Sequence, residues 1–455
     1  MKLTIIGGAG VRTPFMIAGL AQYAKRIDLQ EVWLMDTNAE KLDLIGGLCL
    51  SYADKHNIPF TLHLSTDARE ALMDADHVIT TIRVGDEMGR VQDERIALQH
   101  GVIGQETTGP GGFAMAMRSI PAILNYCELI DKIAPRAWVY NFTNPAGLVT
   151  QALKDVGFTR VIGICDSANT AQYHVANHLG VAANTVETDV FGLNHLSWTR
   201  AARIGGQNRL PELLKDPTFI NTCHMRLFDA PLREYTGMFL NEYLYYYYYR
   251  DEILAKLQSQ EETRGEEVAA LTKKLLEKLR TTDNVDERIR IHEETMARRS
   301  STYIGNAENS ASDTTQQESP DTQPEQDAHM LGYAGVTLEC IEAIQTGIPH
   351  RTGLNVPNAG AITGICDDDV VEVTCTVDAT GPHPVSIGEI PEHQYLMTRA
   401  VKHYERIATS AILKRDRKLA VEALFAHPLV ASFSLAEVLV DDYLTAHRTY
   451  LGEWE

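Results

Sequence analysis

The segment IIGGAGVRTP, residues 5–14, constrains the fold of this chain more than any other. An apolar run ends there in Gly7, Gly8 and Gly10, and a helical pattern follows. A glycine turn between a strand and a helix lets a pyrophosphate approach backbone N–H groups, because no Cβ stands in the way. Such a turn also ends strands for purely structural reasons, so it predicts a nucleotide site only together with a second feature.

That second feature is Asp36, which ends the next apolar run, EVWLMD. It lies close to the spacing at which a carboxylate accepts hydrogen bonds from an adenosine ribose. A carboxylate at this position repels a 2'-phosphate. The two features together predict a site for NAD rather than NADP, with Gly7, Gly8, Gly10 and Asp36 as its residues.

Short apolar runs alternate with helical patterns over the first part of the chain, which predicts an α/β fold built on a Rossmann-like, doubly wound parallel sheet. The predicted strands are KLTIIGG, EVWLMD, ADHVITTI, AWVYNFTN and RVIGICD. FGLNHLSW and VEVTCTV come later, among long helical stretches, and predict a mixed α+β, helix-rich second half. Because 455 residues are too many for one hydrophobic core, we expect an NAD-binding domain over 1–170 and a C-terminal catalytic and oligomerisation domain over 171–455.

One segment breaks this pattern. Residues 306–329 are polar, acidic and almost free of apolar side chains, which predicts a disordered insert. A tolerated surface loop and a regulatory insertion both remain open as its role.

Charge and cysteine content exclude several classes of protein. The net charge of -20, from 61 acidic and 41 basic residues, argues against nucleic-acid or anionic-membrane partners. No stretch approaches the ~20 apolar residues of a membrane-spanning helix, and the N-terminus enters a strand pattern at once, without a leader. Seven scattered cysteines fit reduced thiols better than a disulfide framework. We therefore expect a cytoplasmic protein.

A thiol and an imidazole follow two apolar runs. Cys165 lies in GICD, at the end of a predicted strand where parallel sheets bind their ligands, and His195 lies in FGLNH. Together they suit a transition metal such as Mn²⁺ or Fe²⁺ with positions left open for substrate oxygens. On spacing alone, a buried structural cysteine and a core histidine are the more common explanations of such a pair.

Nine blocks of the chain resemble, in order, those of glycoside hydrolase family 4. They are GGAGVRTP, RVGDEMGRVQDE, HGVIGQETTGPGG, NFTNPAG, GICD, FGLNH, EYLYYYY, NVPNAGAI and GPHPVSIG. The resemblance covers nearly the whole chain. It departs from the family pattern near 295–332, where the family has RGG followed by tyrosines and this chain has MARRSSTYIGN.

The resemblance implies a glycosidase that requires NAD and a divalent metal, and in many members a substrate phosphorylated at O6. The paired-carboxylate mechanism of most glycosidases does not apply to this NAD-dependent family. What the family implies instead is oxidation at C3, deprotonation at C2, elimination of the C1 leaving group, addition of water and re-reduction. NAD is therefore recycled rather than consumed.

Site roles follow from the resemblance, residue by residue. Cys165 and His195 match the metal ligands, Tyr243 matches the base that removes the C2 proton, and Asp166 matches the general acid of α-glycoside members. The substrate-binding positions that match are Arg90, Glu106, Asn144 and Arg264, of which the arginines are candidates for binding a phosphate.

The resemblance leads to a 6-phospho-β-glucosidase as the first hypothesis, with a sugar phosphate as the partner and a homodimer or homotetramer as the assembly. Asp166 after the cysteine is typical of α-specific members, whereas the HGVIGQETTGPGG and NFTNPAG blocks resemble the β branch. A 6-phospho-α-glucosidase and an unphosphorylated α-galactosidase or galacturonidase therefore stay open. From other classes, an NAD-dependent 2-hydroxy acid dehydrogenase and a catalytically inactive NAD-binding regulator are the alternatives.

Overall fold

The computed structural model describes the backbone of residues 1–301 and 323–455, and the side chains of 1–301 and 334–455. Most of the predicted insert, 306–329, lies outside the described residues. The helix Gln323–Thr346 begins within it. No helix of the described part is long and apolar enough to cross a membrane.

The centre of the molecule is a nine-stranded sheet. Its strands are β1 Lys2–Ile6, β2 Glu31–Met35, β3 Thr61–Ser65, β4 His77–Thr80, β5 Trp138–Asn141, β6 Val161–Gly163, β11 His350–Pro357, β12 Val370–Asp378 and β13 Gly381–Pro384. They are arranged in the order β13-β12-β11-β6-β5-β4-β1-β2-β3. Strands β1 to β6 pair in parallel, which confirms the predicted doubly wound α/β fold, and strands β11 to β13 add an antiparallel edge.

A smaller antiparallel sheet follows the parallel strands in sequence. It consists of β7 Glu187–Leu193, β8 Leu196–Ile204, β9 Gln207–Asn208 and β10 Phe239–Leu240. The apolar run FGLNHLSW spans two of these strands, because β7 ends and β8 begins around a two-residue turn of Asn194 and His195. His195 therefore lies at the tip of a hairpin.

Helices cover both faces of the large sheet and form most of the second half. Their bounds are Thr13–Tyr23, Ala39–His56, Ala68–Leu72, Asp86–Gln99, Gly109–Ile133, Ala146–Asp155, Thr170–Leu179, Leu210–Leu213, Pro217–Asn221, Ala230–Thr236, Tyr245–Tyr248, Arg250–Ser259, Arg264–Arg280, Val285–Ser301, Gln323–Thr346, Glu392–Lys414, Arg417–Ala426, Phe433–Ala446 and Arg448–Leu451.

The central parallel strands β1, β4, β5 and β6 are buried along nearly their whole length, as is typical of parallel sheets with helices on both faces. Leu3, Ile5, Val32 and Val78 are completely buried in the main core. Strands packed in this way all end at the same edge of the sheet, so the loops that follow β1, β2, β4, β5 and β6 meet there. The loops after β1, β2, β5 and β6 contain the predicted site residues Gly7, Gly8, Gly10, Asp36, Asn144, Cys165 and Asp166.

Candidate active site

A cleft with a volume of about 2160 Å³ opens at the carboxyl ends of the parallel strands. It is lined by segments from both halves of the chain. With the exception of Gly8, the structure brings every predicted site residue to this cleft: Gly7, Gly10, Asp36, Arg90, Glu106, Asn144, Cys165, Asp166, His195, Tyr243 and Arg264.

The glycine turn after β1 lies against two neighbouring strands. Gly7 has a φ of 90°, and a Cβ on it would come within 2.7 Å of the Thr81 backbone. A Cβ on Gly8 would lie 2.8 Å from Leu34, so Gly8 allows the turn to pack on β2 and does not line the cleft. Gly10 does line the cleft, where the backbone is open to a ligand.

Asp36 joins this turn to the end of β2. Its carboxylate accepts hydrogen bonds from the backbone N–H groups of Ala9 (3.1 Å) and Asn38 (3.0 Å). It also lines the cleft. A glycine turn beside a carboxylate is the donor and acceptor arrangement that fits the pyrophosphate and ribose of NAD.

Cys165 and His195 meet at the bottom of the cleft. The Sγ atom of Cys165 lies 3.4 Å from Nε2 of His195. On the far side of the imidazole, Nδ1 lies 2.9 Å from the Thr107 hydroxyl, which donates its own proton to Oε1 of Gln105. Nδ1 of His195 must therefore be the donor toward Thr107. The lone pair of Nε2 is consequently directed at the sulfur.

This arrangement has the features of a metal-binding pair. Two atoms that bind one ion at roughly 2.1 and 2.3 Å lie roughly 3.1–3.6 Å apart, and a hydrogen bond from the second ring nitrogen is the usual way to orient a ligating histidine. Burial lowers the pKa of His195 to about 4, so its ring is neutral, as ligation requires. Burial also raises the pKa of the Cys165 thiol well above its usual value. A cation at this position would replace the thiol proton.

Within the described part of the chain, no cluster of three or more His, Cys, Asp or Glu side chains forms a metal site. The pair of Cys165 and His195 would therefore leave several coordination positions for other oxygen atoms. His195 itself has a φ of 62°, an unfavourable backbone conformation for a residue with a side chain. Strain of this kind is concentrated at functional sites.

Tyr243 lies directly on the imidazole of His195. The ring centroids are 3.7 Å apart and the planes are inclined by 9°. Tyr243 belongs to a short 3-10 turn, Glu242–Leu244, in which its own backbone N–H donates to the Asn241 side chain. It is 7% exposed and lines the cleft.

The other tyrosines of the run pack elsewhere. The Tyr248 hydroxyl accepts a hydrogen bond from the Trp198 indole on β8, and the Tyr249 hydroxyl contacts Asp229. Tyr245 packs edge-on against Phe228. Of the six tyrosines in the run, Tyr243 is the one that lines the cleft, while Tyr246 is partly buried near Arg90 and Glu106.

Asp166 extends the site on the other side of Cys165. One of its carboxyl oxygens is buried without a hydrogen-bond partner among the described residues. Burial, together with the nearby Glu242 carboxylate, raises the pKa of Asp166 to about 6, although Arg12 acts in the opposite direction. A carboxyl group in this environment holds its proton at mildly acidic pH, as a general acid must.

The opposite end of the cleft is rich in arginine. Glu106 forms ion pairs with Arg83 (2.6 Å) and Arg90 (3.0 Å), and Arg90 also donates to Glu94 (2.7 Å). Burial opposes ionisation of Glu106, but the two guanidinium groups hold its pKa well below the usual range. Glu106 thus serves to orient Arg83 and Arg90 at the cleft wall.

Arg264 and Arg299 complete this end of the cleft, where one NH2 group of Arg264 donates to the Arg299 carbonyl oxygen at 2.5 Å. Burial and the nearby Arg12, Arg83 and Arg90 lower the pKa of Arg299 to about 9. A guanidinium group whose charge is destabilised in this way gains from an anionic ligand. Arg299 was not among the residues predicted from sequence, because it lies in MARRSSTYIGN, where the family motif is absent. The indication that the sequence did offer was the residue type, since arginine suits a phosphate.

Two family models match this chain. The model described as family 4 glycosyl hydrolase matches residues 2–181, and the model of the family 4 glycosyl hydrolase C-terminal domain matches residues 190–430. Together they cover most of the chain, including every residue placed in the cleft above.

Individual relatives of both anomeric types are similar over the full length. A probable 6-phospho-β-glucosidase of Bacillus subtilis is 32% identical, with 100% of this chain and 98% of that protein covered. The phospho-α-glucosidase PagL of Clostridium acetobutylicum is 28% identical, with 99% of each chain covered. A solved 6-phospho-β-glucosidase of Thermotoga maritima, with manganese, NAD+ and glucose-6-phosphate, has a TM-score of 0.83 at 27% identity and 99% coverage of both chains.

Proposed function

The chain belongs to glycosyl hydrolase family 4, and on that basis we propose that it hydrolyses 6-phospho-β-glucosides, using NAD and a divalent metal such as Mn²⁺. One observation carries the proposal. A single cleft contains the glycine turn with Asp36, the Cys165–His195 pair stacked on Tyr243, and the group of arginines.

NAD and the metal ion fit the residues that would hold them. Gly7, Gly10 and Asp36 would hold NAD, and Cys165 and His195 would hold the cation. When bound, NAD supplies a reversible hydride acceptor for C3, and the cation acts as a Lewis acid toward the substrate oxygens at C2 and C3.

The proton transfers fall to this chain's own side chains. The phenolic oxygen of Tyr243 would remove the proton from C2. The Tyr243 ring stacks on the proposed metal-binding imidazole of His195, so it would lie beside the cation that holds the C2 oxygen. Asp166 would donate its proton to the leaving oxygen at C1, in keeping with a pKa raised to about 6 by burial. Thr107 keeps His195 in the tautomer that leaves Nε2 without a proton.

The arginine end of the cleft supports a phosphorylated substrate. We propose that Arg90, Arg264 and Arg299 form the subsite for the 6-phosphate, with Glu106 orienting Arg90 and Asn144 binding a sugar hydroxyl. Guanidinium groups suit a phosphate because their donors match its oxygens in pairs. The solved relative from Thermotoga maritima contains glucose-6-phosphate, which supports the same class of substrate.

The β anomer is proposed because relatives named as 6-phospho-β-glucosidases have the higher identities, 32% and 31%, against 28% for the phospho-α-glucosidase. The second candidate is a 6-phospho-α-glucosidase. Asp166, a protonated acid directly after the metal-binding cysteine, is the observation that favours it. A cytoplasmic location, with all seven cysteines free, and a homodimer or homotetramer belong to the same proposal.

The test is to incubate the protein with NAD, Mn²⁺ and a reductant, and to offer 4-nitrophenyl β-glucoside 6-phosphate, its α anomer and both unphosphorylated analogues. We expect the fastest release of nitrophenol from the phosphorylated β anomer. Faster release from the α anomer would establish the second candidate, and preference for an unphosphorylated substrate would refute the phosphate subsite.

The same reaction mixture distinguishes glycosidase activity from dehydrogenase activity. Absorbance at the NADH band should not rise in proportion to the product, since NADH is reoxidised in each turnover. NADH that accumulates in step with the product would instead indicate net oxidation of the substrate.

A further inference from the structure

Glu372 is a buried carboxylate near the start of β12, which packs against strand β7 of the hairpin that carries His195. None of its surface is exposed. Its Oε1 accepts from the Ser197 hydroxyl (2.7 Å), and its Oε2 accepts from the side-chain amides of Asn194 (3.1 Å) and Asn355 (3.2 Å). No lysine or arginine is paired with it in the described part of the chain. Burying a carboxylate on neutral donors alone is costly, which indicates that it has a function.

The first branch of this network leads to His195. The backbone N–H of Gly147 donates to Oδ1 of Asn194, so the Asn194 amide group must direct its NH2 toward Glu372. Asn194 directly precedes His195, and Ser197 follows it on β8. Glu372 therefore binds the chain on both sides of the metal-binding imidazole.

The second branch leads to Tyr243. The backbone N–H of Tyr243 donates to Oδ1 of Asn241, which leaves the NH2 group of Asn241 to donate to the Ser197 hydroxyl at 3.1 Å. The Ser197 hydroxyl, which accepts from Asn241, donates its own hydrogen bond to Glu372. The backbone N–H of Asn241 also donates to the Ser197 carbonyl oxygen. The side-chain donors of Asn194, Ser197 and Asn355 thus all point toward Glu372, which accepts at both of its oxygens.

We propose that Glu372 is a positioning residue that fixes the stack of His195 on Tyr243 by anchoring both segments to β12. This inference rests on the proposed roles of His195 and Tyr243. The two side chains come from segments that are far apart in sequence, and the network through Ser197 is the shared support that the structure provides for both.

The test replaces Glu372 with glutamine, which has nearly the same shape but one acceptor oxygen, so at least one of the donors loses its partner. We expect kcat and Mn²⁺ affinity to fall by roughly 10- to 100-fold, as for other residues that orient metal ligands, while KM changes little. Mn²⁺ affinity is measured by equilibrium dialysis. Hydrogen exchange measured by mass spectrometry should be faster in residues 193–198 and 241–244.

Thr374→Val is the matched control. Thr374 is also buried on β12 and links it to β7, through Val190 and Thr188, but away from the turn. This variant should lose stability without a change in Mn²⁺ affinity or in the exchange of residues 193–198. Equal effects from Glu372→Gln and Thr374→Val would overturn the inference.

Ser197→Ala provides a second, smaller change in case Glu372→Gln folds poorly. It removes the hydroxyl that links Glu372 to Asn241 and Tyr243, so kcat should fall. In the double variant Ser197→Ala/Glu372→Gln, the fold decrease in kcat should be smaller than the product of the two single decreases, because both residues act in one network. Multiplicative effects would contradict the inference. A wild-type protein that binds no Mn²⁺ would refute the proposed function, and the exchange of residues 193–198 and 241–244 would still decide the role of Glu372.

Discussion

The imidazole of His195 and the phenol of Tyr243 lie parallel at a centroid distance of 3.7 Å. One face of the imidazole is thereby covered by the proposed base, while Nε2 stays directed at Cys165. The proposed cation ligand and the proposed base are thus in direct contact.

Replacing Tyr243 with phenylalanine keeps this stack and removes only the hydroxyl. We expect kcat to fall by roughly 10²- to 10⁴-fold, the usual contribution of a general base, with NAD and Mn²⁺ binding unchanged. Exchange of the C2 proton with deuterated solvent should slow in parallel. Tyr249→Phe is the control, because its hydroxyl contacts Asp229 away from the cleft, and it should retain wild-type turnover. Normal C2 exchange in Tyr243→Phe would exclude this residue as the base.

Replacing Asp166 with asparagine removes the proposed acid and keeps the size of the side chain. A poor leaving group such as a methyl or a second sugar needs a proton, whereas nitrophenolate leaves without one. We expect a loss of roughly 10²- to 10⁴-fold on the poor leaving groups and a much smaller loss on the nitrophenyl substrate. The ratio of kcat/KM for the two substrates is the measurement, so each variant is its own control. Equal losses on both would show that Asp166 does not donate this proton.

Replacing Arg299 with alanine tests the phosphate subsite. A charge-assisted hydrogen bond contributes about 1.5–3 kcal/mol, so KM for the phosphorylated substrate should rise by roughly 10- to 100-fold with a smaller change in kcat. Arg298→Ala is the neighbouring control, since Arg298 is exposed and does not line the cleft. Inhibition by inorganic phosphate should weaken in Arg299→Ala alone. An unchanged KM would remove Arg299 from the subsite.

His427 connects stability to pH at a position outside the cleft. It is 1% exposed, accepts a hydrogen bond from the Leu429 N–H, and has a pKa lowered to about 3 by burial. The unfolded imidazole binds a proton below pH ~6.5, whereas the folded one does not above about 3. Stability is therefore lost as pH falls through this window, by about 1.4 kcal/mol per unit from this residue.

The measurement is the denaturation midpoint of wild type and His427→Gln between pH 7.5 and 5.5. The variant should show the flatter dependence, because it lacks this proton uptake. His403→Gln, a change at an exposed histidine of the helix Glu392–Lys414, should keep the wild-type slope. Identical slopes for all three proteins would contradict the prediction.

The parallel half of the fold could be predicted from sequence because its strands are short apolar runs bounded by glycine and polar turn residues. The position of Asp36 beside the glycine turn followed from the same pattern. Cys165 and His195 could be paired only through the resemblance to the family, since nothing local indicates that a hairpin tip meets the end of β6. The hairpin tip lies within FGLNHLSW, which the sequence pattern suggests is a single apolar strand.

Two residues with proposed roles could not have been identified from the sequence alone. Arg299 is one of many arginines, and only the folded structure shows that it lies beside Arg264 at the cleft. Glu372 lies in VEVTCTV, a predicted strand, where a charged residue would ordinarily face solvent. Its complete burial and its hydrogen bonds depend on Asn194 and Ser197, which are more than 170 residues away in sequence.

The order of strands in the large sheet also bears on synthesis of the protein. Strand β6 ends at Gly163, but its neighbour β11 begins only at His350. At roughly 5–20 residues per second, a ribosome takes about 10–40 s to translate the intervening segment. For that time the nascent chain presents β6 as an open strand edge, a template for pairing with other chains. The edge of the parallel sheet at β6 is closed only when β11 emerges.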